Sequence, residues 1–292
     1  MIMLRYISIW NKLLKPRVSS LVLITVLPGI YLGSNTRPGA GFISIVLFGT
    51  FLMSSASFML NQYIEKDLDA KMERTKNRPL PSGDIRPTTI AIVAFLFIVS
   101  SFFLLYYYVN LLTAICAFVS MLFYIFIYTI LLKPRTDQNI VIGGIAGCVG
   151  PLIGYAASTN SLPLPGWILF LIIFFWTPPH FWALAIFLKE DYDAANFPMM
   201  PVIKGVAITT REILKYTLLY IACCIGFYFT TNRVGFLYLG FSIVLSLYML
   251  YMSIDLYKKQ TKALAKKFFF YSIVHLFAIN IVIIIDFLSF HS

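Results

Sequence analysis

The sequence predicts an all-α, polytopic integral membrane bundle of nine transmembrane helices, and three observations lead there. Of its 292 residues, 60% are hydrophobic and only 12% are charged, about half the charged share of a soluble domain. Apolar runs of about twenty residues, the length that crosses a bilayer as a helix, recur from end to end. The basic residues fall between these runs in a pattern that alternates with them.

The first run, 19–33, follows Lys15-Pro16-Arg17 and carries no small-residue cleavage signal, so it is kept as a span and not discarded as a leader. The second, 41–64, ends where a long charged stretch begins. The third and fourth, 88–109 and 111–132, are separated by Asn110 alone and must form an antiparallel hairpin. The fifth, 139–158, follows Lys133-Pro134-Arg135-Thr136. The sixth, 165–188, contains Pro178-Pro179, a pair that frees backbone carbonyls and predicts a break lining a cavity. The seventh, eighth and ninth are 213–231, 235–256 and 268–288. The length would accommodate two soluble domains, but the continuous patterning predicts one transmembrane domain, 1–292.

With a cytoplasmic N-terminus, 21 of the 23 basic residues fall on the cytoplasmic face, and only Arg37 and Arg233 fall opposite. A miscount by one helix would scramble this sorting. The net charge of +11 therefore argues no nucleic-acid partner, because the bases punctuate apolar spans and form no solvated face. Cys116, Cys148, Cys223 and Cys224 all lie inside apolar runs without CxxC spacing and read as inert core residues. Eleven of the twelve acids also sit at cytoplasmic helix ends, all but Asp286. The positive-inside rule does not require that, so the mixed loops call for another explanation.

The most informative stretch is 61–80. Asn61, Glu65 and Asp69 are spaced i, i+4, i+8 and share one strip of a helix. Such oxygen-bearing groups on the end of a membrane helix are costly unless something binds them. Hard oxygen donors suit Mg²⁺, which takes one or two carboxylates and completes its shell with substrate phosphate oxygens. Arg74, Lys76 and Arg78 follow closely and suit phosphate. Asp67 points off the strip. The competing explanation is a solvated loop whose charges only fix topology.

A second constellation closes the sixth span: Trp176, Pro178-Pro179, His180, Trp182, then Lys189-Glu190-Asp191 where the helix meets water. His180 is either a packed imidazole donating to a freed carbonyl or a wall facing a flat aromatic ligand. Two matching motifs, Lys15-Pro16-Arg17 and Lys133-Pro134-Arg135, each hold a proline between cations; snorkelling anchors explain either one alone. Together, acids after the second and sixth spans and bases beside the first and fourth look like halves of one anionic site. Metal-ligating acids and cations at the mouth of an apolar bundle suit a substrate with a pyrophosphate head and a hydrocarbon tail. Ionising an allylic diphosphate builds charge on the leaving group, which metal and guanidinium groups stabilise.

At these residues the sequence resembles the protohaem IX farnesyltransferases (haem O synthases), a branch of the UbiA-type intramembrane prenyltransferases. The resemblance runs through 14–18, 61–80, Tyr128-Thr129, Lys133, Arg135-Thr136, Gly143-Gly144, Pro179-His180-Phe181, Lys189 to Tyr192 and 198–202. It implies nine helices around a central cavity, one or two Mg²⁺ ions, farnesyl diphosphate and haem B as substrates, and haem O as product. It implies Asn61, Glu65, Asp69 and Asp191 as the catalytic metal-holding set. It implies Lys15, Arg17, Arg74, Arg78, Lys133, Arg135 and Lys189 on the diphosphate, and His180, Trp176, Trp182 and Tyr128 on the haem. It also implies a bacterial cytoplasmic membrane, with the active-site loops cytoplasmic and the C-terminus external, and a haem A synthase or terminal oxidase as assembly partner. Two departures stand out. Glu65 replaces the family's usual Asp, and Ala195 breaks the DxxxD spacing from Asp191 that quinone-making relatives carry. The alternatives are a prenyltransferase for a quinone precursor such as 4-hydroxybenzoate, and a transporter, whose charges should lie near the bilayer midplane.

Overall fold

Helices that hydropathy marks only by their apolar middles continue past those middles in the computed structural model, which describes residues 2–73, 75–133, 135–194 and 198–290. Among the described residues, nine helices are long and apolar enough to cross a membrane: α1 (Pro16–Gly33), α2 (Ala40–Asp69), α3 (Pro87–Tyr108), α4 (Leu111–Leu132), α5 (Asn139–Thr159), α6 (Leu164–Phe187), α7 (Gly205–Thr230), α8 (Phe236–Lys259) and α9 (Lys262–Phe290). All nine predicted spans are present, and no strand occurs among the described residues. α2 runs to Asp69 instead of stopping at 64, and α9 starts at Lys262 instead of 268. Charged residues at these ends are good helix formers, and nothing in water stops the turn from propagating. A further helix, Ile2–Leu14, went unpredicted; it packs Ile9 and Leu13, an i, i+4 pair, against α2 and α3.

The bundle has two apolar cores. One joins α1 to α5 around Val26, Met53, Leu105 and Ile125; the other joins mainly α6 to α9 around Trp182, Tyr220, Phe227 and Phe268. α1 bridges them, packing on α5 and on α9. The α1–α5 contact brings backbone against backbone. A Cβ on Gly29 would lie 2.3 Å from the Pro151 carbonyl oxygen, and one on Gly154 would lie 2.2 Å from that of Val26. No other residue fits there, as at the small-residue crossings of membrane helices generally.

The helical irregularities fall where the two cores meet. α4 winds as a regular α-helix to Leu122 and then as a π-helix through Phe123–Leu132. α5 tightens into a 3₁₀ segment over Gly144–Cys148. Irregular backbone at membrane depth is tolerated where it lines a cavity. The break expected at Pro178-Pro179 does not occur: α6 is continuous from Leu164 to Phe187. Proline's φ is itself helical, so the pair removes two backbone donors without ending the helix, and Thr177 Oγ1 donates to the Ile173 carbonyl one turn back (2.8 Å).

Partners explain the charges. On the face rich in basic residues, acids of one segment pair with bases of another: Asp84 with Arg5 (2.7 Å), Asp137 with Lys204 (2.5 Å) and Glu190 with Lys262 (2.5 Å). On the opposite face, Asp286 accepts from the Gly235 and Tyr238 amides (2.6 and 3.0 Å) and so caps the N-terminus of α8 from α9. Arg233 donates to the Ser34 carbonyl and to Asn35 Oδ1, joining the α1–α2 and α7–α8 turns. Two of the three charges that broke the sorting, Arg233 and Asp286, are fasteners.

Candidate active site

A cavity of about 460 Å³ opens between the two cores, reaching from the charged end of α2 to the middle of the bundle. Asn61, Glu65 and Asp69 all line it, and each is buried, while Asp67 is exposed. The i, i+4, i+8 strip thus faces inward on a helix that carries it past the bilayer edge.

Each acid already has a cation. Lys133 Nζ, from the end of the π-helical turn, donates to both Glu65 carboxylate oxygens (2.6 and 2.7 Å). Arg78 Nη1 donates to Asp69 Oδ2 (2.5 Å), and the loop between them is held by Thr75 Oγ1 donating to the Asp69 carbonyl (2.8 Å). Asn61 Nδ2 donates to Thr129 Oγ1 (3.2 Å), leaving its oxygen for a ligand. Thr129, in the π-helix, belongs to the stretch that carries the family resemblance, but the sequence assigns it no role at the site.

Lys15 enters the same cluster by an unusual route. Its backbone is left-handed (φ 47°), a conformation that costs a non-glycine residue about 1–2 kcal/mol. Buried Gln62 fixes the approach, its Nε2 donating to the carbonyls of Lys12 and Leu13 (3.4 and 3.1 Å). The turn sets the Lys15 ammonium 5.4 Å over the Phe58 ring on the cavity wall. Burial, then the neighbouring charges of Arg78 and Lys133, push the ammonium down to about 7, so an arriving anion favours its charged form.

The two Lys-Pro-Arg motifs behave alike. Lys15 and Lys133 line the cavity, whereas Arg17 and Arg135, two residues on, are exposed and outside its wall. Asp191 and Lys189 are half-buried beside the mouth and do not line it, although Tyr192 and Met199 of the same loop do. Arg74, Pro134 and Ala195 lie outside the described residues. Among the described residues, no three of His, Cys, Asp and Glu gather into a preformed metal cage. A strip of two carboxylates and one amide fits Mg²⁺ that completes its shell with phosphate oxygens.

The far wall is aromatic. His180 is buried between Trp176 (ring centroids 4.2 Å apart) and Phe269 of α9 (4.5 Å), nearly parallel to both. Its Nδ1 bonds Ser272 Oγ (2.7 Å), whose own proton goes to the Phe269 carbonyl (2.7 Å), so Nδ1 carries the imidazole proton. The freed carbonyl of α6 is not its partner, and Nε2 has no hydrogen-bond partner among the described residues. Trp176 Nε1 donates to the Ser272 carbonyl (2.8 Å). Tyr128 lines the opposite wall, 5.9 Å below the Lys133 ammonium. Trp182 is corrected: it is 1% exposed, packs edge-on against Tyr216 and does not line the cavity. It lies two residues past His180, about 200° around the helix.

Serine and threonine hydroxyls on the inner wall face backbone carbonyls, of their own helix or, for Ser120, of the neighbouring one. Ser57 donates to the Met53 carbonyl (2.9 Å), Ser54 to Phe51 (3.1 Å), Thr50 to Val46 (2.8 Å) and Ser120 to Ala146 (2.8 Å). That part of the wall therefore presents carbon. A charged mouth, an apolar interior and a flat aromatic side meet in one cavity.

Residues 22–274 match the UbiA prenyltransferase family. The chain is 58% identical over 281 residues to a Leptospira interrogans protein named protoheme IX farnesyltransferase, covering 96% of this chain and 97% of the relative. Among solved structures, the fold is similar to digeranylgeranylglyceryl phosphate synthase (TM-score 0.79, 18% identity, 97% of this chain and 99% of that one). It is also similar to a UbiA homologue of Archaeoglobus fulgidus bound to DMAPP and Mg²⁺ (TM-score 0.69, 13% identity, 94% and 99%).

Proposed function

Because this chain belongs to the UbiA prenyltransferase family, on its protoheme IX farnesyltransferase branch, we propose that it transfers the farnesyl group of farnesyl diphosphate to a vinyl group of haem B, making haem O and releasing diphosphate. The observation that carries this reading is the single cavity in which the Glu65–Lys133 and Asp69–Arg78 pairs adjoin an apolar interior walled by His180 and Trp176.

The diphosphate enters at the mouth, where Lys15, Arg78 and Lys133 exchange their carboxylate contacts for phosphate oxygens. Asn61, Glu65 and Asp69 would hold Mg²⁺, as one or two ions, with Asp191 of the α6–α7 loop joining them from beside the mouth; bound there, Mg²⁺ would supply positive charge for the leaving group. Lys189, Arg17, Arg135 and Arg74 sit in or near the loops around the mouth as an outer ring of cations for the same anion. As the farnesyl carbon–oxygen bond breaks, Arg78 and Lys133 meet the charge developing on the departing oxygen. The terminal carbon of a haem vinyl group forms the new carbon–carbon bond, leaving the cation on the carbon next to the macrocycle. Water adds there and loses a proton, giving the hydroxyethylfarnesyl group. His180, Trp176 and Tyr128 hold the macrocycle plane. The whole chain acts as one transmembrane domain.

Extracting haem from a host lacking haem O, with and without this protein, tests the proposal. The expected result is a new haem heavier by one farnesyl group and one hydroxyl group. An unchanged haem pool with a prenylated hydroxybenzoate accumulating instead would reject it.

The protein is an integral membrane protein; we place it in a bacterial cytoplasmic membrane with the cavity mouth cytoplasmic. Reporter fusions after α2, α4, α6 and α8 are expected to read cytoplasmic, and one after α9 external, since 21 of 23 basic residues lie on the mouth face. A cytoplasmic reading after α9 contradicts this orientation. A haem A synthase or terminal oxidase remains the partner we assign to the product, to be sought by co-purification.

A further inference from the structure

A second recess lies on the face rich in basic residues, apart from the central cavity. It has a volume of about 430 Å³, sits between the start of α7 and the end of α8, and is lined by Ala207, Ile208, Arg211, Tyr257, Lys258 and Gln260. None of these six lines the central cavity. α7 and α8 pack on each other as consecutive, antiparallel spans, which brings these two ends together. Arg211 and Lys258 each stand two residues outside an apolar run, 213–231 and 235–256. At ~1.5 Å per residue both cations lie about 3 Å beyond the hydrocarbon, at the level of lipid headgroups.

The charges around this recess are unevenly spent. On α7, Glu212 is taken by Lys215 (2.7 Å); on α8, Asp255 is taken by Lys259 (2.7 Å). Arg211 and Lys258, each next in sequence to one of those pairs, are exposed and have no hydrogen-bond or ion-pair partner among the described residues. The Gln260 amide is turned away from them, its Nε2 donating to the Tyr257 carbonyl (3.4 Å). Ile208 and Tyr257 give the recess apolar sides. Toward the bilayer, each cation stands over apolar side chains on its own helix face. Leu218 lies seven residues beyond Arg211 on α7, and Tyr251 lies seven residues before Lys258 on α8, with Leu247 one turn further. All three are exposed. Solvation alone accounts for one unpaired cation; two that converge from different helices over a shared apolar track match a ligand with an acidic head and hydrocarbon tails.

We propose that this recess binds an anionic phospholipid, with Arg211 and Lys258 on the headgroup phosphate and the acyl chains along Leu218, Leu247 and Tyr251. A guanidinium presents two parallel donors to a phosphate, and an ammonium adds a mobile point charge. Basic pockets between membrane helices hold acidic headgroups in this way. A phosphocholine lipid fits worse, because its own quaternary ammonium competes for the phosphate. Free phosphate would meet the cations but leave the apolar track uncovered. The site is independent of the prenyl-transfer reading.

The test titrates the detergent-purified protein with phosphatidylglycerol, phosphatidylcholine or inorganic phosphate, and counts bound lipid by native mass spectrometry. Wild type should hold one phosphatidylglycerol about tenfold more tightly than phosphatidylcholine. Arg211→Gln combined with Lys258→Gln should abolish that preference, since each cation near an acidic lipid is worth about fivefold in affinity. Lys266→Gln combined with Lys267→Gln removes the same charge from exposed positions outside the recess and should keep the preference. Melting curves establish that each variant is folded, and the single variants at Arg211 and Lys258 decide the matter if the double variant is not. A preference that survives the loss of Arg211 and Lys258, or that falls equally in the Lys266 and Lys267 control, overturns the site. Displacement of the bound lipid by inorganic phosphate would show an anion site without a lipid, and overturns the assignment as well.

Discussion

Asp69→Asn and Glu65→Gln are each expected to lower kcat/KM for haem farnesylation by about 10²–10³-fold, the loss seen when one preorganised charge-stabilising group is removed. Both carboxylates are buried on the cavity wall and paired with cations at 2.5 and 2.6 Å. Neutralising one would replace a charged oxygen donor to the metal by a neutral amide oxygen and would leave Arg78 or Lys133 without its carboxylate counter-charge. The amides are chosen over alanine because truncation would strand a largely buried cation; breaking such a pair costs about 3–5 kcal/mol and would confuse folding with chemistry. Asp191→Ala should also suppress product while protein accumulates in membranes. Asp67→Ala should retain most activity, because Asp67 is exposed one hundred degrees or more from the strip. Turnover of purified variants against both substrates decides the matter. An Asp67 variant as inactive as the Asp69 variant would remove the single strip as the metal site.

The second large effect is expected at His180. His180→Ala should weaken haem binding about tenfold, or ~1.4 kcal/mol, and leave farnesyl diphosphate affinity within about twofold. The imidazole is sandwiched between Trp176 and Phe269, so it meets the macrocycle by its edge, and with the proton on Nδ1 its Nε2 lone pair is available to the iron. The diphosphate sites lie on α2, α4 and the adjoining loops and do not touch His180. Separate titrations of haem and farnesyl diphosphate into detergent-purified wild type and variant read this out. A lower melting temperature with unchanged haem affinity would mean that the imidazole only ties α6 to α9 through Ser272.

Much of this was legible in the sequence because membranes impose strong rules. Span length and the sorting of Lys and Arg are dictated by the bilayer, so nine helices and a charged face could be read directly. The Asn61–Glu65–Asp69 strip was legible because helical period is local. Trp182 could have been excluded by the same arithmetic, since Trp176 and His180 share a face and Trp182 does not. The Lys-Pro-Arg motifs were read too generously, because residues two apart on a chain turn to different sides. What stayed hidden was long-range. Phe269 and Ser272 reach His180 across some ninety residues of chain, and nothing in their own neighbourhood announces it. Thr129 depends on a departure from regular helix in α4, which apolar patterning does not encode. The left-handed turn at Lys15 follows from tertiary hydrogen bonds made by Gln62.

The backbone contact of α1 with α5 bears on the membrane as an electrical barrier. Below the cavity floor, Val26 and Ile30 of α1 close on Ile153 and Ala157 of α5, with Gly29 and Gly154 leaving no gap between the two backbones. At this seam nothing the size of water or an ion fits between α1 and α5. A seal so placed keeps the voltage drop in the packed part of the bundle, beneath the diphosphate. Moving one elementary charge through 100 mV costs about 2.3 kcal/mol, and a multiply charged leaving group held at the rim escapes nearly all of that. A diphosphate held at the rim thus sits close to the electrical potential of the solution at the mouth.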